Sequence, residues 1–156
     1  METVYRDEQV SQISSKLGIS KKDVTTVLSN YTEYLKGRLN EGKTIKLLNI
    51  CYIRVDGKDE EMNETLAYIS TELGKRVGIN PNVVYRVFTS FEELLIRDLR
   101  KLYSYNIRGL VSIKLEKNFK DEYKVRIKKS TSYVGNNIYV STCGSFKRKA
   151  EILVDR

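Results

Sequence analysis

The chain has 156 residues, a formal net charge of +8, no histidine and two cysteines. A chain of this length forms one ordinary domain or two small units that share a core. The lack of histidine excludes histidine-based triads and the usual zinc sites, and neither a Walker loop nor a GxGxxG motif is present. We therefore expect a protein that is not an enzyme and that holds no cofactor and no metal.

The N-terminal segment, METVYRDEQV, is polar and charged and lacks the apolar stretch of a signal peptide. No run elsewhere in the sequence approaches the length of a transmembrane helix. Cys51 and Cys143 lie far apart and neither belongs to a CxxC motif, which favours reduced, packed thiols over a redox or metal site. We therefore expect a cytoplasmic protein.

The first part of the sequence predicts two helices and a β-hairpin. Val10, Ile13 and Leu17 recur at helical spacing, and Gly18 is suited to end that helix with a positive φ angle. Ser20 opens the capping-box-like sequence SKKD, which predicts a second helix of about five turns ending at 40–42. Its apolar stripe consists of Val24, Val27, Leu28, Tyr31, Leu35 and Leu39. The β-branched and aromatic residues of 44–55 then predict strand, turn and strand.

The same order recurs at an offset of sixty residues. A short helical pattern leads to Gly78, and Asn80-Pro81 predicts the start of a second long helix. The stripe of that helix consists of Val84, Val87, Phe88, Phe91, Leu95 and Leu99. The segment IRGLVSIKL (107–115) aligns with LLNICYIRV (47–55). We interpret this as an internal duplication, with a first unit at 1–55, an acidic connector at 56–64 and a second unit at 65–156.

The C-terminal forty residues have no counterpart in the first unit and carry most of the excess charge. Residues 117–156 contain ten basic and four acidic side chains, against ten and nine in 1–60 and eight and seven in 61–116. In YKVRIKK (123–129) cationic and apolar residues alternate, which predicts a strand with one cationic face. YVGNNIYV (133–140) predicts a turn at 135–137 and a returning strand, and SFKRKAEILVDR is compatible with a short helix.

The run GISKKDVTTVLSNYTEYLKGRLNEGKTIKLLNICYIRV (18–55) resembles the first half of the bacterial histone-like HU/IHF proteins, without a gap. SFKRKAEIL resembles the strand end and short C-terminal helix of the same family. The resemblance covers most of the chain from about Val10. It implies an α+β fold of tandem HU/IHF-like units, each with helix, turn, long helix and β-hairpin, that form an intrachain pseudo-dimer. Only the second unit would carry a β-arm, over about 117–142.

HU/IHF proteins bind duplex DNA through such arms, so the resemblance implies an architectural partner of double-stranded DNA with low sequence specificity. It assigns phosphate contacts to the arm and to the saddle beneath it, at Lys124, Arg126, Lys128, Lys129, Lys147, Arg148 and Lys149. The single proline, Pro81, starts a helix, so insertion into a base step at the arm tip would fall to Tyr133, Val134 or Ile138. Neither a small-molecule substrate nor a membrane is expected as a partner, and the location would be the nucleoid.

Two other functions fit parts of the sequence. ISSKLGISKKDVTTVL also fits a helix-turn-helix, which would place Lys21, Lys22, Thr25 and Thr26 in a major groove. A structural part of a bacteriophage virion, such as a neck or tail ring, is the stronger alternative, because phages carry divergent HU/IHF-like proteins. In that case the fold would bind other protein subunits.

Overall fold

The helices and strands follow an order that occurs twice along the chain. The computed structural model describes residues 2–129 and 138–152, apart from the side chain of Ile152, and gives an α+β fold as predicted. The first half contains β1 (Thr3–Val4), α1 (Arg6–Leu17), α2 (Lys21–Asn40), β2 (Lys43–Leu47) and β3 (Cys51–Val55). The second half contains β4 (Glu60–Glu61), α3 (Leu66–Val77), α4 (Pro81–Arg100), β5 (Ser104–Ile107), β6 (Val111–Lys117), β7 (Tyr123–Lys129), β8 (Ile138–Thr142) and α5 (Gly144–Ile152).

Both helix pairs are delimited as the sequence predicts. Gly18 and Gly78 end α1 and α3 with φ angles of 69° and 73°, a left-handed conformation that glycine adopts without steric cost. Ser20 and Asn80 cap α2 and α4 through side-chain oxygens that accept backbone N–H groups at 3.1 and 2.8 Å. Pro81 occupies the first helical position of α4, where its missing N–H costs no hydrogen bond.

Two four-stranded sheets exchange their short edge strands between the halves. Sheet I has the strand order β4-β2-β3-β8, and sheet II has the order β1-β5-β6-β7. The antiparallel hairpin at the centre of each sheet comes from one half of the chain. In contrast, β1 of the first half runs parallel to β5, and β4 of the second half runs parallel to β2. The expected connector at 56–64 thus contributes a strand of sheet I.

The C-terminal strands pair differently from the prediction of one projecting arm. β7 pairs along its whole length with β6, and the 118–122 turn joins them. β8 pairs with β3, from Cys51 opposite Thr142 to Val55 opposite Ile138. Among the described residues the two strands of the expected arm therefore lie in different sheets. The physical reason is that β8 satisfies the backbone groups of β3, which would otherwise form an open edge. The turn expected at 135–137 lies outside the described residues.

One apolar core joins the two halves. The predicted stripes of α2 and α4 are buried, and the rings of Tyr31 and Phe88, one from each stripe, have centroids 4.5 Å apart. Phe146 and Ala150 anchor α5 in the same hydrophobic cluster. Each buried aliphatic or aromatic side chain contributes roughly 1.5–3 kcal/mol to stability, so this shared core couples the folding of the halves.

No helix within the described residues is long and apolar enough to cross a membrane.

Candidate nucleic-acid interface

The outward face of sheet II carries a group of cations. Lys124, Arg126 and Lys128 of β7 alternate with residues that face the helices, as predicted, and Arg126 and Lys128 are exposed while Lys124 is half-buried. Lys114 of β6 lies directly opposite Arg126 and adds a fourth cation to this face. Glu116 is the acidic residue among them, and its carboxylate lies 3.5 Å from the Lys114 ammonium.

The cations on the outward face of β7 form no ion pair within the described residues, although Glu116 lies directly opposite Lys124 in the strand register. Within the part of the chain that the structure describes, no carboxylate lies within 4.0 Å of Lys124, Arg126 or Lys128. Two like charges directly opposite each other destabilise a sheet, so the pairing of Lys114 with Arg126 is unfavourable for folding. An external polyanion would relieve that repulsion. Lys129 pairs with Val111 and therefore falls on the opposite face from Lys128, although it too is exposed.

The outward face of sheet I combines cations with tyrosine rings. The Lys46 ammonium lies 5.7 Å from the ring centroid of Tyr52, and the Arg54 guanidinium lies 4.7 Å from that of Tyr139. Tyr52 and Tyr139 are 37% and 43% exposed. Rings of this kind stack on bases or pack against sugars, while the cations contact phosphates. Glu61 lies opposite Thr44 at the far edge of the sheet, away from β8.

Sequence reasoning missed this second face. The pattern of 44–55 predicts two strands, but it assigns no function to the residues between the apolar positions. The signal was present in the alternation of β3, where Cys51, Ile53 and Val55 are buried while Tyr52 and Arg54 are exposed. Tyr139 became part of the face only because β8 joins β3, which the sequence did not predict.

The turn between β6 and β7 presents an exposed aromatic ring. Phe119 is 92% exposed, and the Lys120 ammonium lies 5.7 Å from its ring centroid. The Asn118 side-chain oxygen accepts hydrogen bonds from the backbone N–H groups of Lys120 and Glu122 at 2.9 and 3.0 Å, so the turn is well defined. Insertion into an apolar site or between two base pairs would remove this phenyl ring from water, which is favourable.

Of the residues expected at the arm tip, only Ile138 belongs to the described part of the chain. Tyr133 and Val134 lie outside the described residues. Ile138 is only 7% exposed and pairs with Val55, so its side chain lies against the core and not at a projecting tip. The reason is the same pairing of β8 with β3, which turns Ile138 towards the core. Within the described residues Phe119 is the most exposed apolar side chain.

The three predicted cations of the C-terminal segment lie on the solvent side of α5. Lys147, Arg148 and Lys149 are all exposed, in contrast to the buried Phe146 on the same helix. A Glu151 carboxylate oxygen accepts the backbone N–H of Val125 at 2.9 Å and fixes α5 to the edge of β7. α5 therefore lies beside the cationic strand.

The cysteines do not form a reactive centre. Burial, followed by the proximity of Cys143, raises the pKa of the Cys51 thiol to about 12, and burial also raises the pKa of Cys143. Thiolates are therefore scarce near neutral pH. Within the described ranges, no three acidic, cysteine or histidine side chains are grouped so that they could hold a metal ion.

No protein-family model matches the chain, and no curated protein has a significantly similar sequence.

Proposed function

We propose that this protein is a non-enzymatic DNA-binding architectural protein of the HU/IHF type. It contacts the backbone phosphates of duplex DNA with low sequence specificity through the outward faces of sheets I and II. The observation that carries the proposal is the row of cations on β7 that form no ion pair with another described residue, with Lys114 opposite Arg126. The like-charge pair of Lys114 and Arg126 is unfavourable for folding, and the row of cations favours binding of a polyanion.

The proposed fold is a pseudo-dimer of two HU/IHF-like units within one chain. Three features support it: the helix bounds recur at an offset of sixty residues, the helix caps correspond, and β1 and β4 are exchanged between the sheets. A linked pair of units needs no association step to form its binding surface. In place of the expected arm, the β6–β7 hairpin carries Phe119 at its turn. This ring would enter the DNA groove beside the sheet. The proposed location is the nucleoid.

A salt titration of binding to a random-sequence duplex tests the proposal. Each phosphate that a cation neutralises contributes about −0.9 to the slope of log K against log salt. We expect tight binding at about 50 mM salt and a clearly negative slope. Replacing Lys124, Arg126 and Lys128 together by Gln should reduce the magnitude of the slope by up to about 2.7, corresponding to three lost contacts. Absence of binding at low salt, or a slope near zero in the wild type, would refute the proposal.

The matched control replaces Lys21, Lys22 and Lys101 by Gln, because these exposed lysines belong to no strand: the first two begin α2 and Lys101 follows the end of α4. This control should retain the wild-type slope. If it loses binding while the β7 variant does not, DNA is held at the start of α2 and the helix-turn-helix reading gains support. The length of α2, twenty residues leading into β2, argues for the sheet faces instead.

The second candidate function is a structural component of a phage particle. The exposed Phe119 ring favours it, since a ring on a hairpin end also fits a pocket of a neighbouring subunit. This alternative predicts discrete higher oligomers or a ring by native mass measurement without DNA. A monomer that binds duplex DNA would count against it.

A further inference from the structure

A surface pocket on the helical side of sheet II brings three cations together. It has a volume of about 360 Å³ and includes Arg6 at the start of α1, Lys36 of α2 and Arg108 of the β5–β6 turn. Ser29, Thr32 and Glu33 of α2 complete its wall. A second pocket of about 290 Å³ shares Arg6 and Arg108.

The charge of this pocket is poorly balanced from within. Glu33 is the one acidic side chain in its wall, and none of the three cations has a carboxylate within 4.0 Å among the described residues. Arg6 donates one long hydrogen bond, of 3.4 Å, to the Ser29 hydroxyl, and its Nε is buried without a hydrogen-bond partner in the described part of the chain. Burial, and to a smaller extent the positive charge of Arg108, lower the pKa of Arg6.

The turn backbone is shaped to admit the Lys36 ammonium. Gly109 has a φ angle of 80°, and a Cβ placed on it would lie 2.8 Å from Lys36 Nζ. A larger residue at 109 would require the flexible end of Lys36 to shift. The positive φ angle is therefore the main reason for glycine at this position.

The corresponding place in the other half of the molecule provides an internal comparison. Sixty residues away, the positions of Arg6, Lys36 and Arg108 are occupied by apolar residues, namely Leu66, Ile96 and Leu48. The position of Thr32 is occupied by Glu92, whose carboxylate accepts the backbone N–H of Asn49 at 2.9 Å. One copy of the scaffold thus supplies its own carboxylate at the turn, whereas the other has three cations and a threonine.

We propose that the pocket formed by Arg6, Lys36 and Arg108 binds the phosphate group of a small molecule. Paired guanidinium groups offer forked donors to phosphate oxygens, and a lysine ammonium adds a compact charge. The Ser29 hydroxyl is a further donor in the wall, whereas the Thr32 hydroxyl already donates to the Leu28 carbonyl at 3.1 Å. The volume is in the range of small-ligand pockets and exceeds what a bare ion needs, which leaves space for the organic part of a phosphate monoester.

Calorimetric titration of the full chain with inorganic phosphate and with glycerol phosphate, at constant ionic strength, tests this site. We expect saturable binding of both ligands. Arg108→Gln should weaken it about tenfold or more, as expected for the loss of a charge-assisted hydrogen bond. Thr32→Glu reproduces the residue found at position 92 and should abolish binding by placing a carboxylate in the pocket. Lys101→Gln, which removes an exposed cation elsewhere, should bind like the wild type.

Several outcomes would overturn the proposal. One is a lack of saturation for both ligands up to about 10 mM, since binding weaker than millimolar contributes less than about 4 kcal/mol. Another is equal phosphate affinity in the wild type, Arg108→Gln and Thr32→Glu, each with an unchanged unfolding midpoint. If Arg108→Gln instead lowers duplex affinity as much as the β7 variant does, the pocket belongs to the DNA interface and the small-molecule assignment is wrong.

Discussion

Two buried tyrosines predict opposite effects of the same substitution. The Tyr31 hydroxyl oxygen accepts the backbone N–H of Leu48 at 2.9 Å, and both residues are at most 5% exposed. Leu48 has a φ angle of 48°, a strained conformation for a leucine, and this hydrogen bond helps to hold it. Tyr31→Phe keeps the ring that packs against Phe88 but leaves a buried donor unpaired. The expected loss is about 1–3 kcal/mol of unfolding free energy.

Tyr105 is the internal control. It is fully buried, but its hydroxyl has no hydrogen-bond partner among the described residues. Its ring packs edge-to-face on Phe91 with centroids 5.7 Å apart, an arrangement that phenylalanine retains. Tyr105→Phe therefore removes only an unsatisfied polar group. We expect an unchanged stability or a gain of up to about 1 kcal/mol.

Urea unfolding at neutral pH, followed by circular dichroism, measures both variants. Equal m-values would show that the change lies in stability rather than in the extent of unfolding. For a domain of this size, the Tyr31→Phe loss corresponds to a fall in Tm of about 2–12 °C. The reasoning is refuted if Tyr31→Phe is neutral, or if Tyr105→Phe is the more damaging of the two.

Three other predictions concern the hairpin end, the thiols and high pH. Phe119→Ala should leave the unfolding midpoint unchanged, because the ring is 92% exposed. It should weaken duplex binding about tenfold, as expected for the loss of an inserted or stacked ring. Fluorescence anisotropy titration against the wild type measures the affinity, and an unchanged affinity would exclude the ring from the interface. At a pH of about 8, a thiol reagent should modify the half-buried Cys143 well before Cys51, because burial raises the pKa of Cys51 to about 12. Peptide mass mapping identifies which cysteine carries the first adduct. Labelling of Cys51 first would contradict the burial argument. Burial raises the pKa of Tyr31 and Tyr105, so the folded state keeps their protons to higher pH than the unfolded chain does. The free energy of unfolding should therefore fall as pH rises above about 10. The Tyr31→Phe/Tyr105→Phe double variant should show a shallower fall, and an identical dependence on pH would show that these tyrosines do not cause it.

The sequence predicted those features of the fold that depend on neighbouring residues, namely the helix ends and the buried faces of helices and strands. Gly18, Ser20, Gly78 and Asn80 each act at the helix end that their side chain or backbone freedom suits. The apolar stripes of α2 and α4 are buried as their 3.6-residue spacing indicates. The cationic face of β7 was also predicted, since alternation within one strand fixes which side chains share a face.

The pairing of strands over long distances was not predicted. The alternation in YVGNNIYV predicts a strand but does not identify its partner. In the structure β8 pairs with β3 and not with β7. Glu60 and Glu61 have low strand propensity, and β4 exists because it lies beside β2, where Glu60 pairs with the Lys43 ammonium. The Tyr139 part of the candidate site was missed for the same reason. Its partner Arg54 lies more than eighty residues earlier in the sequence.

The pairing of β3 with β8 has a consequence for synthesis of the protein. Residues 51–55 leave the ribosome long before residues 138–142, at roughly 5–20 residues per second. During that interval β3 has an unpaired edge and the shared core is incomplete, so the edge is a site for pairing with other nascent chains. Completion of sheet I is therefore a late event, and contacts of this sequence separation form slowly. We expect the protein to depend on chaperones or low expression temperature more than its small size suggests.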